Sequence, residues 1–146
     1  MTGMDTSKKR KLKAHLVPGN EMELEVAVMD EPGAGGACHK YRVGGSKVGG
    51  HGAFAARVQF QMGPVPEHGH NGLTNEVLLA MVKDRLEGFQ NGKHACVQNE
   101  RALKCIGEAL YHLRDRTAAR LKLGIEGTDE VMPNGGRGMM KLGDQV

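Results

Sequence analysis

Hydrophobic and polar positions follow two different periods along the chain, and the period changes near residue 70. Before that point, three short runs alternate apolar and polar residues with a period of two, which is typical of half-buried β-strands. The runs cover residues 22–30, 39–43 and 55–62. Their Gly-rich connections are too short to hold a crossover helix, so they predict a small antiparallel sheet.

From residue 71 to residue 124 the apolar positions recur every three or four residues, which predicts two helices joined by a turn. The first helix begins near Thr74, a good N-cap residue, and stops at Asn91-Gly92. The second begins between residues 95 and 99 and ends at Gly124. Its apolar positions form a coiled-coil-like seam. The seam residues are Leu103, Ile106, Leu110, Leu113 and Thr117.

The predicted fold class is therefore α+β, with a small N-terminal antiparallel β-sheet followed by a C-terminal antiparallel helical hairpin. We divide the chain into a flexible basic arm (1–13), a sheet region (14–70), the hairpin (71–124) and a largely irregular tail (125–146). Leu12, at the end of the arm, is a candidate start for the first ordered strand. Within the tail, residues 126–131 are the part that we expect to pack.

Composition adds that a single chain on its own would be only marginally stable. The 146 residues include 22 glycines and only 3% aromatic residues, so little bulky material is available for a core. Such domains often gain buried surface by assembling, and the hairpin seam predicts a homo-oligomer. Three cysteines with no preceding apolar leader indicate reduced thiols and a cytosolic protein. No apolar run approaches the ~20 residues of a membrane span, so we expect no membrane partner.

A net charge of +3 and the basic run SKKRKLK at residues 7–13 raise the question of a nucleic-acid or acidic-lipid partner. A short basic terminus is more often only solvated, and we favour that interpretation. The chain shows no local signature of a nucleophile with a base, so we predict no catalytic residues and no enzyme activity. The seven histidines lack the spacing of zinc ligands, so we predict no metal and no cofactor.

Arginines border the apolar seam of the second helix instead of lying opposite it. Arg116 and Arg120 fall on one side of the seam and Arg114 on the other. Guanidinium forks suit phosphate, but cations also stabilise a helix C-terminus without any ligand, and both interpretations stay open. Arg85 lies within the apolar face of the first helix, so we expect an acid partner, either Glu100 or Glu108 across the hairpin or an equivalent acid on a second subunit.

Phe89 and Asn99 flank the turn between the helices. An aromatic ring and a side-chain amide could hold a purine by stacking and edge hydrogen bonds. From the residues alone, a core anchor for Phe89 and a helix N-cap or turn role for Asn99 are the favoured alternatives.

Residues 60–128 resemble the phage anti-Thoeris sponge family, whose hairpin domain is shared with phage anti-CBASS sponges. The resemblance rests on ordered short strings spread over nearly half of the chain. They are NG-x-TNE at 71–76, DRLEGFQ-x-G at 84–92, AC-x-x-N at 95–99, EAL at 108–110, RDRT at 114–117 and GIEGT at 124–128.

The resemblance implies a protein that binds and sequesters immune signalling nucleotides without cleaving them. The expected ligands are cyclic ADP-ribose isomers, and several members of that family also hold cyclic di- or trinucleotides at a second site. The family assembles through its hairpins into dimers and hexamers with pockets between subunits. The expected location is the cytoplasm of the infected bacterial host.

Carried over by motif, Phe89 resembles the base-stacking aromatic of the family and Asn99 its adenine-contacting amide. Arg116 and Arg120 resemble the pair that grips the diphosphate and ribose. Arg57 is our candidate for the residue that the N-terminal sheet contributes. The alternative function is a nucleic-acid-binding or phage structural module that uses SKKRKLK and the arginine-rich helix end.

Overall fold

The structure is a computed structural model that describes residues 10–132. The described chain divides into two compact units, one of residues 10–62 with 70–73 and one of residues 63–69 with 74–132. The first holds the sheet and the second the helices, so the predicted α+β class is confirmed.

The sheet has four antiparallel strands in chain order. They are β1 (Lys11–Leu12), β2 (Glu25–Val28), β3 (Lys40–Gly45) and β4 (Phe54–Gln59). Strands β2 to β4 correspond to the three predicted runs. The additional strand β1 lies in the segment predicted as a basic arm, of which the structure describes only residues 10–13. The predicted tail is described up to residue 132, and its remainder lies outside the described residues.

The strand register separates an apolar face from a charged one. Val28, Tyr41 and Val58 are aligned across β2, β3 and β4, and Val28 is only 5% exposed. Tyr41 also meets the Phe60 ring edge-on, with centroids 5.6 Å apart. The neighbouring residue on each strand forms a second aligned set. In this set, Ala27 of β2 is aligned with Arg42 of β3, which is aligned with Arg57 of β4. Side chains alternate along a strand, so these arginines lie on the face opposite to Val28.

A close contact between residues 60–62 and residues 71–73 completes the sheet unit after β4. Phe60 and Leu73 form a parallel bridge, and the Asn71 amide bonds the N–H and C=O of Met62 at 2.8 Å each. A Cβ on Gly72 would lie 2.4 Å from the carbonyl carbon of Phe60, so this position needs glycine. The chain between these two segments contains a single-turn helix, α1 (Val65–His68).

The two predicted helices are confirmed as α2 (Asn75–Gln90) and α3 (Val97–Lys122). Thr74 is the N-cap of α2, and its hydroxyl accepts a hydrogen bond from the N–H of Val77 at 3.2 Å. Gln90 closes the inter-helix turn because its amide accepts from the N–H of Cys96 and donates to the Cys96 C=O. After α3, Gly124 takes a left-handed conformation with φ +70°, which glycine adopts without strain.

The helical hairpin leaves much apolar surface uncovered in a single chain. No residue of α2 is buried, and Val77, Met81 and Val82 are 47%, 50% and 40% exposed. The predicted seam of α3 is only half-buried. None of the helices within residues 10–132 is long and apolar enough to cross a membrane.

Candidate functional site

Phe89 lies in the last turn of α2, at the end of the hairpin where the two helices are joined. Its ring is flanked by Arg85, whose guanidinium carbon lies 5.1 Å from the ring centroid, and by the His94 ring, edge-on at 6.4 Å. Phe89 keeps 37% of its surface exposed, so it is not the buried core anchor that the sequence alone favoured. The arrangement supports the ring while leaving part of it available for stacking.

Arg85 differs from its sequence-based prediction. It is exposed, and among residues 10–132 it forms no ion pair with Glu100 or Glu108. Pairing with Glu100 or Glu108 of the same chain was wrong, because the apolar face of α2 stays open to solvent in one chain. Pairing with an acid of a second subunit stays a prediction. The guanidinium is therefore not desolvated and can rest on the Phe89 ring.

Asn99 is half-buried in the first turn of α3. The N-cap of α3 is Cys96, so the alternative that Asn99 is the cap is wrong. Within the described chain no hydrogen bond engages the Asn99 amide. Phe89 and Asn99 thus lie at the same end of the hairpin, one as a partly exposed ring and the other as an unused amide.

Arg116 lies near the opposite end of α3 and is exposed. No acceptor or carboxylate of the described residues pairs with its guanidinium. At 1.5 Å per residue, Arg116 is about 26 Å along the helix from Asn99. One hairpin therefore does not bring the ring, the amide and this arginine around one small ligand.

Arg120 has a different environment from Arg116, although the two are one helical turn apart. It is only 7% exposed and donates four hydrogen bonds within its own chain. Nε donates to the Glu126 carboxylate at 2.9 Å, Nη1 to the C=O of Glu130 at 2.9 Å, and Nη2 to the C=O of Ile125 and Thr128 at 2.9 and 3.0 Å. The side chain thereby folds residues 125–130 around the end of α3.

We call this arrangement of Arg120 and residues 125–130 the guanidinium cage. Four of the five guanidinium N–H groups are used, and one on Nη1 remains. The interior also includes Ile125, which is 8% exposed, and the Thr128 hydroxyl donates to the Ile125 C=O at 2.6 Å. The sequence signal for the cage was present in the packing expected for residues 126–131, but not its link to Arg120.

Arg57, the fifth predicted site residue, lies on β4 of the sheet unit, whereas the other four belong to the helical unit. It is exposed and aligned directly with Arg42 on β3. The sequence reasoning missed Arg42, because the pairing of these two arginines depends on the register of β3 and β4.

A second polar cluster in the sheet unit was also missed. The Asp30 carboxylate accepts from the backbone N–H of His39 and of Lys40, at 2.9 and 3.1 Å. Burial raises the pKa of Asp30, but these N–H groups, the N–H of Asp30 itself and the nearby His39 ring outweigh burial and hold the pKa below 3.8. His39 is 7% exposed, and its Nδ1 has no hydrogen-bond partner within residues 10–132.

Metal binding has no support in the described part of the chain, where no three His, Cys, Asp or Glu side chains converge. The cysteines Cys38, Cys96 and Cys105 are free thiols. The described geometry thus offers rings, amides and guanidiniums that can bind an anionic ligand, in two separately folded units.

Comparison with known proteins gives one informative result. No family model matches the chain. Over 75 residues the chain is 52% identical to Thoeris anti-defense 1 of Bacillus phage SBSphiJ7, a match that covers 51% of this chain and 53% of that protein. The chain spans about half the length of the curated relative that it matches. The resemblance to anti-Thoeris proteins found in the sequence is confirmed over that half.

Proposed function

We propose that this chain, a relative of a phage anti-Thoeris protein, is an anti-defence protein that binds and sequesters cyclic ADP-ribose-type signals without cleaving them. The observation that carries the proposal is the 52% identity to Thoeris anti-defense 1. The name of that relative supports the anti-defence role. The nucleotide class follows from the sequence resemblance to sponges, and it places the action in the cytoplasm of the infected host.

In this proposal the turn end of the hairpin holds the adenine base. The partly exposed Phe89 ring stacks on the base, and Arg85 supports that ring from beside it. The unused Asn99 amide presents both donors and an acceptor, which suits the edge of a purine. Base stacking of this kind contributes about 1–3 kcal/mol.

Arg116 is the proposed diphosphate ligand, because its guanidinium is exposed and unpaired in the described chain. Arg120 is the second member of the predicted pair, but it has one N–H left for a ligand. Its larger role in the proposal is to hold residues 125–130 in place beside Arg116. Arg57 remains the proposed contribution of the sheet.

The distance along α3 requires that two chains build each pocket. Phe89 and Asn99 of one hairpin would meet Arg116 of another when two hairpins pair about a two-fold axis. The exposed apolar residues of α2 supply a surface for such pairing. A homodimer is the smallest assembly that this pairing creates, and three such dimers can form a hexamer.

Titration calorimetry with cyclic ADP-ribose isomers tests the binding proposal. We expect saturable binding and recovery of intact ligand after the protein is denatured. Arg116→Ala should weaken binding at least about tenfold, because a charge-assisted phosphate contact is lost. The matched control is Arg101→Ala, which removes an exposed arginine elsewhere on α3. The absence of binding for every isomer, or recovery of a cleaved ligand, contradicts the proposal.

Complementation tests whether the pocket is shared between chains. Phe89→Ala and Arg116→Ala variants are each expected to lose binding, and the same variants co-expressed should regain part of it. In a two-fold dimer, each mixed pair has one intact pocket, so random pairing restores about one quarter of the wild-type sites. A pocket built within one chain would show no recovery, and this outcome would reject the shared site.

The nucleic-acid alternative is separated by a gel-shift at two salt concentrations. It predicts sequence-independent binding to DNA that falls steeply with salt and is lost when residues 1–13 are deleted. Because residues 11–12 form strand β1 of the sheet, the sponge proposal is tested with Lys8→Gln, Lys9→Gln and Lys13→Gln combined, which removes charge from the basic run but keeps β1 and should leave cyclic ADP-ribose binding intact. Cyclic di- and trinucleotides, titrated in the same calorimetry series, test for the second ligand class.

A further inference from the structure

The charged face of the sheet contains two arginines at directly opposed positions. The register of β3 and β4 aligns Arg42 with Arg57, and the next pair on the same face aligns Lys40 with Gln59. Opposed residues have Cβ atoms about 5 Å apart, and like charges in this position destabilise a sheet. The pair therefore calls for a compensating negative charge.

The described residues do not supply that charge. The ion pairs within residues 10–132 are Lys11–Glu25, Glu67–His68, Lys83–Glu87 and Arg120–Glu126, and none involves the two sheet arginines or Lys40. Asp30 is the acid that lines the same surface pocket as Lys40, Arg42 and Arg57. Its carboxylate already accepts the backbone N–H groups of His39 and Lys40, so it is committed to holding the start of β3.

The opposed pair also lines a pocket that is partly open to solvent. A cavity of about 330 Å³ lies on this face, with Arg42, Arg57 and Lys40 in its wall and Tyr41 beside them. A neighbouring cavity of about 430 Å³ shares Met29 and Arg42 with the first. Volumes of this size are typical of small-molecule sites. Three unpaired cations thus converge on a space that a small anion can enter.

We propose that Arg42 and Arg57, together with Lys40, form a binding site on the sheet for a small phosphate-bearing anion, such as a phosphate monoester or a diphosphate. Each guanidinium can bond two phosphate oxygens through parallel N–H groups, and the ammonium adds a point charge. The anion would also relieve the repulsion between the opposed arginines. The proposal goes beyond the nucleotide site, since it shares only Arg57 with that site and adds Arg42 and Lys40, which have no role there.

Calorimetry with inorganic pyrophosphate tests this site on the full chain. We expect Arg42→Gln to weaken pyrophosphate binding at least about tenfold, because charge-assisted hydrogen bonds are lost. Arg101→Gln removes an exposed arginine of α3 and should stay within about twofold of wild type. Equal weakening by both variants would indicate nonspecific attraction, and no weakening by Arg42→Gln would equally overturn the sheet site.

The Arg116→Gln protein separates this proposal from the nucleotide site. Because Arg116 is the proposed diphosphate ligand of the nucleotide site, pyrophosphate binding that remains in this variant belongs to the sheet. A further Arg42→Gln change should weaken that remaining binding at least about tenfold, whereas capture of cyclic ADP-ribose is already lost in Arg116→Gln. Pyrophosphate binding that disappears in Arg116→Gln and persists in Arg42→Gln would assign the anion to the hairpin and overturn the proposal. A failure of the nucleotide proposal would leave the Arg42 result unaffected.

Thermal unfolding gives a readout that a merely structural arginine would not produce. Without anion, Arg42→Gln should raise the Tm by about 1 °C, because the like-charge opposition is removed. Pyrophosphate should raise the Tm of wild type but not of this variant. Arg57→Gln is the second variant and should behave the same way. A lower Tm for both variants without anion would show that the arginines stabilise the sheet themselves.

Discussion

Within residues 10–132, each of the two units buries one apolar and one polar side chain, but the hydrogen bonding of the polar side chain differs between the units. In the sheet unit these are Val28 and His39, and His39 keeps an Nδ1 atom without a partner in the described chain. In the helical unit they are Ile125 and Arg120, and Arg120 donates four hydrogen bonds. The sheet is thus centred on an apolar strand face, whereas the best-buried part of the hairpin is a satisfied guanidinium.

Arginines differ in a similar way, in whether their own chain uses their hydrogen-bond donors. Arg120 has almost all of its donors used by its own chain, and Arg42 and Arg57 have none used by described residues. Burial together with hydrogen-bond saturation distinguishes an arginine that holds the fold from one that remains available to a ligand. Arg116, one turn from Arg120, belongs to the available kind.

The largest expected effect is on the guanidinium cage. Arg120→Ala should lower the free energy of unfolding by about 3 kcal/mol, because it leaves the Glu126 carboxylate and the C=O groups of Thr128 and Glu130 without their donor. Urea unfolding measures the change. Arg116→Ala is the matched control and should stay within about 0.5 kcal/mol of wild type. Equal effects of the two variants would remove the contrast between these arginines.

Val28 tests how much the buried apolar side chain stabilises the sheet unit. Val28→Ala should cost about 2 kcal/mol, since two buried methyl groups are removed from the covered face of the sheet. Val48→Ala, at a position that is 50% exposed, should cost close to nothing. Thermal unfolding of both variants decides the point. A negligible cost at Val28 would mean that this face does not stabilise the sheet unit.

A smaller effect on stability is expected at the N-cap of α2. Thr74→Ala removes the hydroxyl that accepts from the N–H of Val77 and should destabilise the helix by about 1 kcal/mol. Thr74→Ser keeps the acceptor and should retain most of the stability. Hydrogen exchange in the first turn of α2 measures the change, and unaltered protection in Thr74→Ala would show that packing alone fixes this end.

The smallest effect concerns the pH dependence of the sheet unit. Because the pKa of Asp30 is lower in the folded protein than its ordinary value of 3.8, its contribution to stability is present above that value and is lost as pH falls through the folded pKa. Urea unfolding at pH 6 and pH 3 should therefore show less acid destabilisation for Asp30→Asn than for wild type. The control is Glu31→Gln at the exposed neighbour. Identical pH profiles of wild type and Asp30→Asn would contradict this role.

Local signals predicted the secondary structure well because they act within a few residues. The N-cap at Thr74 and the stops at Asn91-Gly92 and Gly124 gave the helix ends closely. The period of two located β2 to β4. For β1 the sequence indicated only that a strand could start at Leu12, because its two residues pair with β2 and have no periodic pattern of their own. The one-turn helix α1 is equally short and carries no periodic signal.

What the sequence by itself determined is the order of sheet and hairpin, the bounds of the helices and the anti-Thoeris resemblance, since these depend on local periodicity, capping residues and ordered motifs. The tertiary structure alone decided which arginines are free. Arg116 and Arg120 lie one turn apart on the same helix, but residues 125–130 fold back and use the donors of Arg120 only. Arg42 and Arg57 are far apart in sequence, and strand register places them side by side. Hydrogen-bond saturation and charge proximity arise from contacts between distant residues, so no local pattern encodes them.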